Sequence, residues 1–348
     1  MKISVGILAR NASPTLGATL RSLFAQTLLN TAAAAGVTVE IVVVANGCSD
    51  DTARVARAEL GRLSAPLAPA VRGRADDVTE AGKSNAWNLY VHELSDPDAD
   101  YLILLDADIE FGEPETLERM IGALEANPHA WIAGDRALKD LTRKPRKSLK
   151  ERLSLGVTRD YKGPEVWICG QSYCGRAGVL RKIWMPAGLP VEDGFLWQMV
   201  VTDRFTASID FGRVILAPTA THYFEAVTTP AALVRHEKRV TAGICINVLL
   251  SEHLRERCGP HLDAGTLVRQ RNAEDARWLG RFLREACQTR RWLVPPGLIF
   301  RRFHSLRALS LPRLTVTLPL ATAAFGLDLW LFLAANQLLR NGGAYGYW

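Results

Sequence analysis

Two carboxylates separated by one residue stand at the end of a short apolar run. Residues 101–105 are followed by Asp106, Ala107 and Asp108, and a buried strand ending here would carry both acids to the sheet edge where ligands bind. Hard divalent cations take oxygen ligands, and Mg²⁺ is typically shared between one or two carboxylates and substrate phosphates. The pair therefore predicts a site for a divalent cation and a phosphorylated substrate. A turn or helix-capping role for two aspartates is the competing interpretation.

The elements that must position these acids alternate along the first part of the chain. Apolar β-branched runs predict strands, and segments with helical periodicity separate them. The predicted strands are 2–9, 37–44, 101–105, 131–133 and 214–217, and helices are predicted to begin near residues 13, 51, 82, 113 and 229. This alternation predicts an α/β fold with a mostly parallel sheet covered on both faces. The loops after residues 9, 44 and 105 should then surround one site.

The composition is that of a globular protein. Hydrophobic residues make up 48% of the chain and charged residues 22%, which excludes disorder for the chain as a whole. The six cysteines show no metal-finger spacing and predict reduced thiols. The N-terminal segment lacks the charged region and the long apolar stretch of a signal peptide. We therefore expect the catalytic part to remain in the cytoplasm.

Positive charge is concentrated in two regions of a chain whose net charge is +6. Residues 139–152 contain seven lysines and arginines against two acidic residues, and residues 281–313 contain eight arginines. Such patches suit phosphates or an acidic lipid surface, while for any single arginine a solvated position is the alternative. We expect a membrane surface as a partner, and no nucleic acid.

The segment 315–339 is apolar and long enough to cross a bilayer. It is interrupted by Pro319, Asp328, Asn336 and Gln337. An acid near the bilayer centre is costly, so three interpretations stay open: a single spanning helix, an interfacial hairpin, or a buried core helix. The spanning form is slightly favoured. Flanking basic and aromatic residues predict that the protein lies at the cytoplasmic face of the cell inner membrane, either peripheral or single-pass.

Several motifs, in the right order, resemble the inverting family 2 glycosyltransferases, which have the GT-A fold. They are residues 3–11, 45–52, 82–88, 106–108, 170–176 and 191–193. The resemblance implies a glycosyltransferase domain over about 1–250. Its nucleotide-binding half would cover about 1–110 and its acceptor half about 111–250. A helical C-terminal region, 251–348, would follow it.

On the donor side, the resemblance implies a nucleotide-sugar held near the first strand. The implied nucleotide-binding residues are Leu8, Ala9, Arg10, Asn11, Asn46, Asp50, Lys83, Asp106 and Arg239. Asn46 stands where the family usually has a base-reading aspartate. An amide oxygen still accepts from a pyrimidine N–H, but the amide adds a donor and removes the charge. A UDP-sugar is the favoured donor, and Lys83 would meet its phosphates as a point charge.

The resemblance also implies a divalent cofactor, Mg²⁺ or Mn²⁺. Asp108 would be a direct ligand, Asp106 would reach the ribose or the metal shell, and His222 would complete the shell. A histidine in this position is equally often a structural residue, so both interpretations of His222 stay open.

For the acceptor side, Glu192 and Asp193 resemble the acidic pair that carries the general base. Asp193 would take the proton from the attacking hydroxyl, with Glu192 beside it or orienting the acceptor. An acidic pair favoured by a helix dipole is the alternative. Further implied contacts to the sugar or acceptor are Gly170, Gln171, Trp197 and His236.

The expected reaction is an inverting, metal-dependent transfer of one sugar to the hydroxyl of a lipid or lipid-linked acceptor. Processive relatives carry a Gln/Arg-x-x-Arg-Trp motif, which His236 and Arg239 fit only in part, and Val240 replaces the tryptophan. A sugar nucleotidyltransferase is the first rival, but residues 10–16 lack a glycine-rich phosphate loop. An inactive GT-A membrane adaptor is the second, and Asn46 and Val240 are the departures that favour it.

Overall fold

The computed structural model describes residues 1–148, 151, 166–227, 229–300, 303, 306 and 311–342. Its centre is one curled eight-stranded sheet with helices on both faces, which confirms the α/β prediction. The strands are β1 Lys2–Ala9, β2 Thr38–Asn46, β3 Val71–Val78, β4 Tyr101–Asp106, β5 Ile109–Phe111, β6 Ile132–Lys139, β7 Ser172–Arg176 and β8 Val214–Phe224. They lie in the order β3-β2-β1-β4-β7-β6-β8-β5.

Parallel pairing dominates only one half of the sheet. Strands β3, β2, β1 and β4 are parallel neighbours, whereas β7 lies antiparallel between β4 and β6. Strands β6 and β8 are parallel, and the short β5 closes the edge antiparallel to β8. The sequence did not predict β3, β5 or β7. Strand β3 is a polar edge strand and β5 has only three residues, so neither has the apolar run that identifies a buried strand.

Twelve helices in the described parts of the chain surround this sheet. They are α1 Leu16–Phe24, α2 Thr27–Thr31, α3 Thr52–Ser64, α4 Lys83–Leu89, α5 Thr116–Ala126, α6 Ala177–Leu180, α7 Glu192–Val201, α8 Pro230–Arg257, α9 Ala264–Glu274, α10 Trp278–Thr289, α11 Pro296–Ile299 and α12 Leu311–Arg340. The predicted helix starts near 51, 82, 113 and 229 each fall within a few residues of an observed one. Helix α1 starts at Leu16, three residues after the predicted start near residue 13.

The two faces of the sheet bury two separate apolar cores. Along β4, Leu102 and Leu104 face one core while Ile103 and Leu105 face the other, as the two-residue period of a strand requires. Gly6 in β1 allows Tyr90 to lie against the strand, because a Cβ at position 6 would sit 2.5 Å from the tyrosine ring. The β4 strand that carries the predicted metal motif is therefore held rigidly from both sides.

The C-terminal helices pack on the core that contains Trp87 and Phe195. One part of α12, Thr317–Arg340, is apolar enough to cross a membrane. Its most apolar stretch has a mean hydropathy of 1.7, and a quarter of that stretch is buried. It is the one such helix among the described residues. The C-terminal aromatic residues Tyr345, Tyr347 and Trp348 lie outside the described residues, as do residues 149–150 and 152–165, which include the end of the basic stretch 139–152.

Candidate active site

The carboxyl ends of β1, β2 and β4 meet at one edge of the sheet. Leu8 in β1 lies in register with both Val44 in β2 and Asp106 in β4. The loops that follow these strands are therefore neighbours, as parallel strands require. Leu8 and Ala9 are themselves buried in the sheet, and Arg10 is half-buried just beyond its end.

The loops after β1 and β2 are tied to each other by hydrogen bonds. The Asn11 side chain accepts a hydrogen bond from the Ser49 backbone N–H at 2.8 Å. In the other direction, Asp50 accepts from the backbone N–H groups of Ser13 at 3.1 Å and Thr52 at 3.0 Å. Burial by itself would raise the pKa of Asp50, but the hydrogen bonds from Thr52 and Ser13 outweigh it and hold the pKa at about 2. The side chains of Asn11 and Asp50 thus form hydrogen bonds that join the two loops.

Asn46 is fully buried and its amide is used inside the protein. Its Oδ1 accepts a hydrogen bond from the Gly82 backbone N–H at 2.7 Å, and its Nδ2 donates to the Glu80 carbonyl. Gly82 has a φ of 133°, a conformation that favours glycine. Asn46 therefore fixes the turn that leads into α4, and an Asn46 contact to a nucleobase would require these bonds to be exchanged.

Lys83, the first residue of α4, joins three other segments at this edge. Its Nζ lies 2.6 Å from Asp106 Oδ1 at the end of β4 and 2.8 Å from Glu192 Oε1 at the start of α7. It also donates to the Gly170 carbonyl at 3.2 Å. All three charged side chains are largely shielded from water, so the attraction among them is weakly screened. One lysine therefore contacts both Asp106, a predicted donor-binding residue, and Glu192, a member of the acidic pair that carries the predicted general base.

The two aspartates of the metal motif have different surroundings. Burial raises the pKa of Asp106 to about 6, Lys83 opposes that shift, and the nearby charge of Asp108 adds to it. Asp108 is exposed in the turn between β4 and β5. No group of three His, Cys, Asp or Glu side chains in the described parts of the chain could hold a metal ion. A cation at Asp106 and Asp108 would therefore depend on oxygen ligands from a substrate, which is usual for Mg²⁺.

Glu192 and Asp193 form the first turn of α7 beside Gly170. A Cβ at position 170 would lie 3.0 Å from Glu192 Oε1 and 3.1 Å from Asp193 Cβ, so the absence of a side chain there permits the close approach. Burial and the Glu192 charge raise the pKa of Asp193, while Lys83 and Arg239 oppose the shift. A carboxylate with a raised pKa is a better proton acceptor.

His222 is fully buried on β8. Its Nδ1 lies 2.7 Å from Asp135 Oδ1, and its Nε2 lies 3.4 Å from Gln171 Oε1. Burial would lower the His222 pKa, but Asp135 and Cys169 outweigh it and raise the pKa to about 9. The Gln171 carbonyl in turn accepts the Asp106 backbone N–H at 2.9 Å. His222 thus connects to the metal motif through Gln171, with both ring nitrogens already near polar partners.

Asp135, which lies against His222, is a residue of this site that the sequence did not predict. It ends the buried stretch 132–135 of β6, and the pairing of β6 to β8 is irregular between Gly134 and Arg136. A charged residue at the end of a buried run is unusual unless it has a charged or hydrogen-bonding partner. An aspartate in this position is therefore the sequence feature that could have indicated a buried polar contact.

The remaining predicted residues lie around this cluster. Trp197 is buried, donates through Nε1 to the Val166 carbonyl at 2.8 Å, and stacks on Trp167 with ring centroids 4.1 Å apart. Arg239 on α8 is close enough for its charge to act on Asp193. His236 lies one turn earlier on the same helix, where burial and Arg239 lower its pKa.

Residues 4–184, just over half of the chain, match the family described as glycosyl transferase family 2. Among solved structures, the chain is similar to glucosyl-3-phosphoglycerate synthase from Mycobacterium tuberculosis in complex with Mn²⁺, UDP-glucose and phosphoglyceric acid. The identity is 18% over 71% of this chain and 79% of that one, with a TM-score of 0.47. It is also similar to residues 1–349 of S. aureus TarS in complex with UDP, at 16% identity over 98% and 92% of the two chains and a TM-score of 0.45. No curated protein sequence matches significantly.

Proposed function

Because this chain belongs to glycosyl transferase family 2 and is a glycosyltransferase, we propose that it transfers one sugar, with inversion, from a UDP-sugar to an acceptor hydroxyl in a reaction that needs a divalent metal. The observation that carries this proposal is the cluster at the sheet edge. There Lys83 joins Asp106 of the metal motif to Glu192, next to Asp193. Donor-side and acceptor-side acids thus lie around one crevice.

Asp193 is the proposed general base. An inverting transfer needs a carboxylate that removes the proton from the attacking hydroxyl while the sugar–phosphate bond breaks on the opposite side. Burial and the adjacent Glu192 raise the pKa of Asp193, which increases its basicity. Glu192 Oε1 lies 2.8 Å from Lys83 Nζ and forms an ion pair with it. Asp193 is not engaged by Lys83 in this way, so its carboxylate is the better placed of the two to accept a proton.

Asp108 and Asp106 are the proposed protein ligands of the metal, with phosphate oxygens of the donor completing the set. A bound divalent cation supplies positive charge where the diphosphate leaves. His222 remains a candidate for the outer part of this site, since Gln171 connects it to Asp106. Lys83 holds Asp106 in place. The three donors of its ammonium face Asp106, Glu192 and the Gly170 carbonyl, so contact with a phosphate would replace one of these three partners.

The proposed acceptor is a lipid or lipid-linked molecule with an anionic group. A small cavity between α8 and α12 is lined by Arg235, Lys238, Arg239 and Leu338. Arg239 also acts on Asp193, so the cavity lies near the proposed base. Three cations beside an apolar side chain suit a phosphate attached to an apolar chain.

A screen of nucleotide-sugars with Mn²⁺ and a lipid extract tests this proposal. We expect one UDP-sugar to be consumed with release of UDP, and we expect Asp108→Ala to abolish the metal-dependent part of turnover. Release of pyrophosphate would instead indicate a nucleotidyltransferase. Full activity of Asp108→Ala in the presence of a chelator would reject the metal assignment. Failure of every nucleotide-sugar to bind by calorimetry would favour an inactive adaptor.

A further inference from the structure

One face of helix α12 packs against the rest of the protein. Phe332 and Ala335 are buried against the core. Asn336 accepts a hydrogen bond from the Leu293 backbone N–H at 2.9 Å and donates to the Arg291 carbonyl at 3.3 Å. Arg340 donates to three backbone carbonyls, of residues 287, 290 and 291, at 3.2–3.4 Å. These polar contacts fix the helix along its C-terminal half, where it packs against α8 and α10.

The opposite face of α12 is apolar and exposed. Of the thirteen exposed large hydrophobic residues in the described parts of the chain, seven lie between residues 292 and 333. They are Trp292, Phe300, Leu318, Leu327, Leu329, Trp330 and Leu333. Phe300 stacks on Phe325 of α12 with ring centroids 6.3 Å apart, so the segment before α12 lies beside the helix. Clusters of exposed apolar side chains mark interaction surfaces.

Positive charge accompanies this apolar face. Residues 277–348 contain ten arginines, no lysine and only two acidic residues, Glu285 and Asp328, so this region alone has a charge of +8 in a chain whose net charge is +6. Among the arginines of this region whose side chains the structure describes, Arg281 and Arg290 form ion pairs with Asp275 and Glu252. Arg277, Arg284 and Arg291 form no ion pair within the described residues. An apolar face beside unneutralised arginines matches an anionic lipid surface better than it matches water or a neutral protein partner.

The same contacts argue against a helix that crosses the bilayer. For α12 to span, it would have to leave α8 and α10, and Asn336 and Arg340 would lose their partners. Asp328, which is buried against the protein, would then lie in hydrocarbon, where a charge is costly. A helix that lies in the plane of the membrane keeps all of these contacts and buries only the outer face.

We propose that α12 is an in-plane membrane anchor, which places its outer face in the interface of a bilayer containing anionic lipids. This inference goes beyond the proposed function, although the two are connected: α8 packs along α12 and carries Arg239, whose charge acts on Asp193. Docking of α12 would hold the acceptor side of the active site at the level of the lipid headgroups.

Sedimentation of the full chain with lipid vesicles tests the anchor. We expect binding to vesicles that contain phosphatidylglycerol, weak binding to pure phosphatidylcholine, and a decrease at high salt. The double variant Leu327→Glu/Leu333→Glu should lower the partition coefficient at least about tenfold, since two apolar side chains leave the membrane. Both leucines are more than half exposed, at 55% and 53%, so the fold should tolerate the change.

A matched control uses two exposed apolar residues outside α12. Ile209 and Leu216 are exposed to a similar extent, 50% and 49%, and Ile209→Glu/Leu216→Glu should bind vesicles as the wild type does. Equal binding by the Leu327→Glu/Leu333→Glu variant would overturn the proposal. A concentration-dependent dimer that this variant abolishes, without vesicle binding by the wild type, would also overturn it and would indicate a second copy of the chain on this face.

Two further readouts separate the in-plane arrangement from a spanning helix and from the enzymatic proposal. Alkaline carbonate should release the protein from vesicles, and brominated lipids should quench Trp330 at shallow rather than central depth, measured as the difference between wild type and Trp330→Phe. Resistance to carbonate together with central quenching would reject the in-plane arrangement. Asp108→Ala should bind vesicles normally, so loss of enzymatic activity and loss of membrane binding remain distinguishable.

Discussion

Two groups of predicted site residues lie at the same sheet edge and use their polar atoms differently. Asn11, Asn46 and Asp50 complete hydrogen bonds that join one loop to the next. Lys83, Asp106 and Glu192 instead hold buried charges against one another, and Asp193 lies beside them. The polar atoms of the first group have hydrogen-bond partners within the protein. The charged side chains of the second group can exchange their ion pairs for contacts with a substrate. On the proposed function, the charged cluster would perform the chemistry, and the loop residues would give the crevice its shape.

The largest effect that would test this contrast is expected from Asp193→Asn. Removal of a general base typically lowers turnover by about 10²–10⁴-fold, and we expect that loss with nucleotide affinity unchanged. Because the base must be deprotonated and burial raises the pKa of Asp193, the acid limb of the wild-type kcat/KM profile should lie above the pKa of an ordinary aspartate. Rate measurements across pH and calorimetry with UDP provide the check. Full transfer by the variant would place the base elsewhere.

Replacement of Lys83 should destabilise the protein as well as inactivate it. Lys83→Met leaves Asp106 and Glu192 without their shared cation, and breaking a buried ion pair typically costs about 3–5 kcal/mol. The free energy of unfolding from urea titration measures this loss. Lys182→Met is the control, since Lys182 is exposed and forms no ion pair in the described parts of the chain. An equal, small effect of both substitutions would show that the cluster contributes little to stability.

Asn46→Asp tests whether Asn46 belongs with the residues that shape the loops or with the residues that bind the nucleotide. The substitution gives the chain the aspartate that its family usually has, but it removes the donor that Asn46 offers to the Glu80 carbonyl. A buried acceptor placed against another acceptor costs about 1–3 kcal/mol, so the variant should unfold at a lower temperature without binding UDP more tightly. Tighter UDP binding by the variant would move Asn46 into the nucleotide site.

The smallest expected effect concerns Asp50. Its pKa of about 2 in the folded protein lies below the ordinary value of 3.8. The stabilisation by its carboxylate is therefore fully present above about pH 4 and is lost as pH falls through about 2. Asp50→Asn should narrow the stability difference between pH 5 and pH 2, measured by urea unfolding at each pH. Unchanged pH dependence in the variant would mean that the hydrogen bonds of Asp50 do not stabilise the fold.

The sequence predicted the elements that have a strong periodic signal. Strands β1, β2 and β4 are buried apolar runs, and their parallel arrangement follows from the helices between them. The polar β3 and the three-residue β5 have no such signal, so their positions depend on pairing with distant strands. The start of α8 was predictable because Thr229 caps it and Pro230 follows.

Individual contacts in the candidate site were less predictable than the elements that carry them. The family resemblance implied that Asp106 and Lys83 both lie at the nucleotide site. The ion pair between Lys83 and Glu192, however, joins residues more than a hundred positions apart and depends on how α7 packs. The pairing of Asp135 with His222 depends on an irregularity between β6 and β8. Periodicity describes one element at a time, so it does not reveal contacts that arise where elements meet.

The close approach at Gly170 has a consequence for how the protein can vary through evolution. Even a methyl group there would contact both acids of α7 more tightly than usual, so Glu192 and Asp193 would have to shift by a few tenths of an ångström. Gly61 and Gly122, by contrast, have open space around the missing side chain. Active relatives should therefore retain glycine at the position of Gly170 while substituting freely at the other two, and a lineage that has replaced it should also have lost transfer.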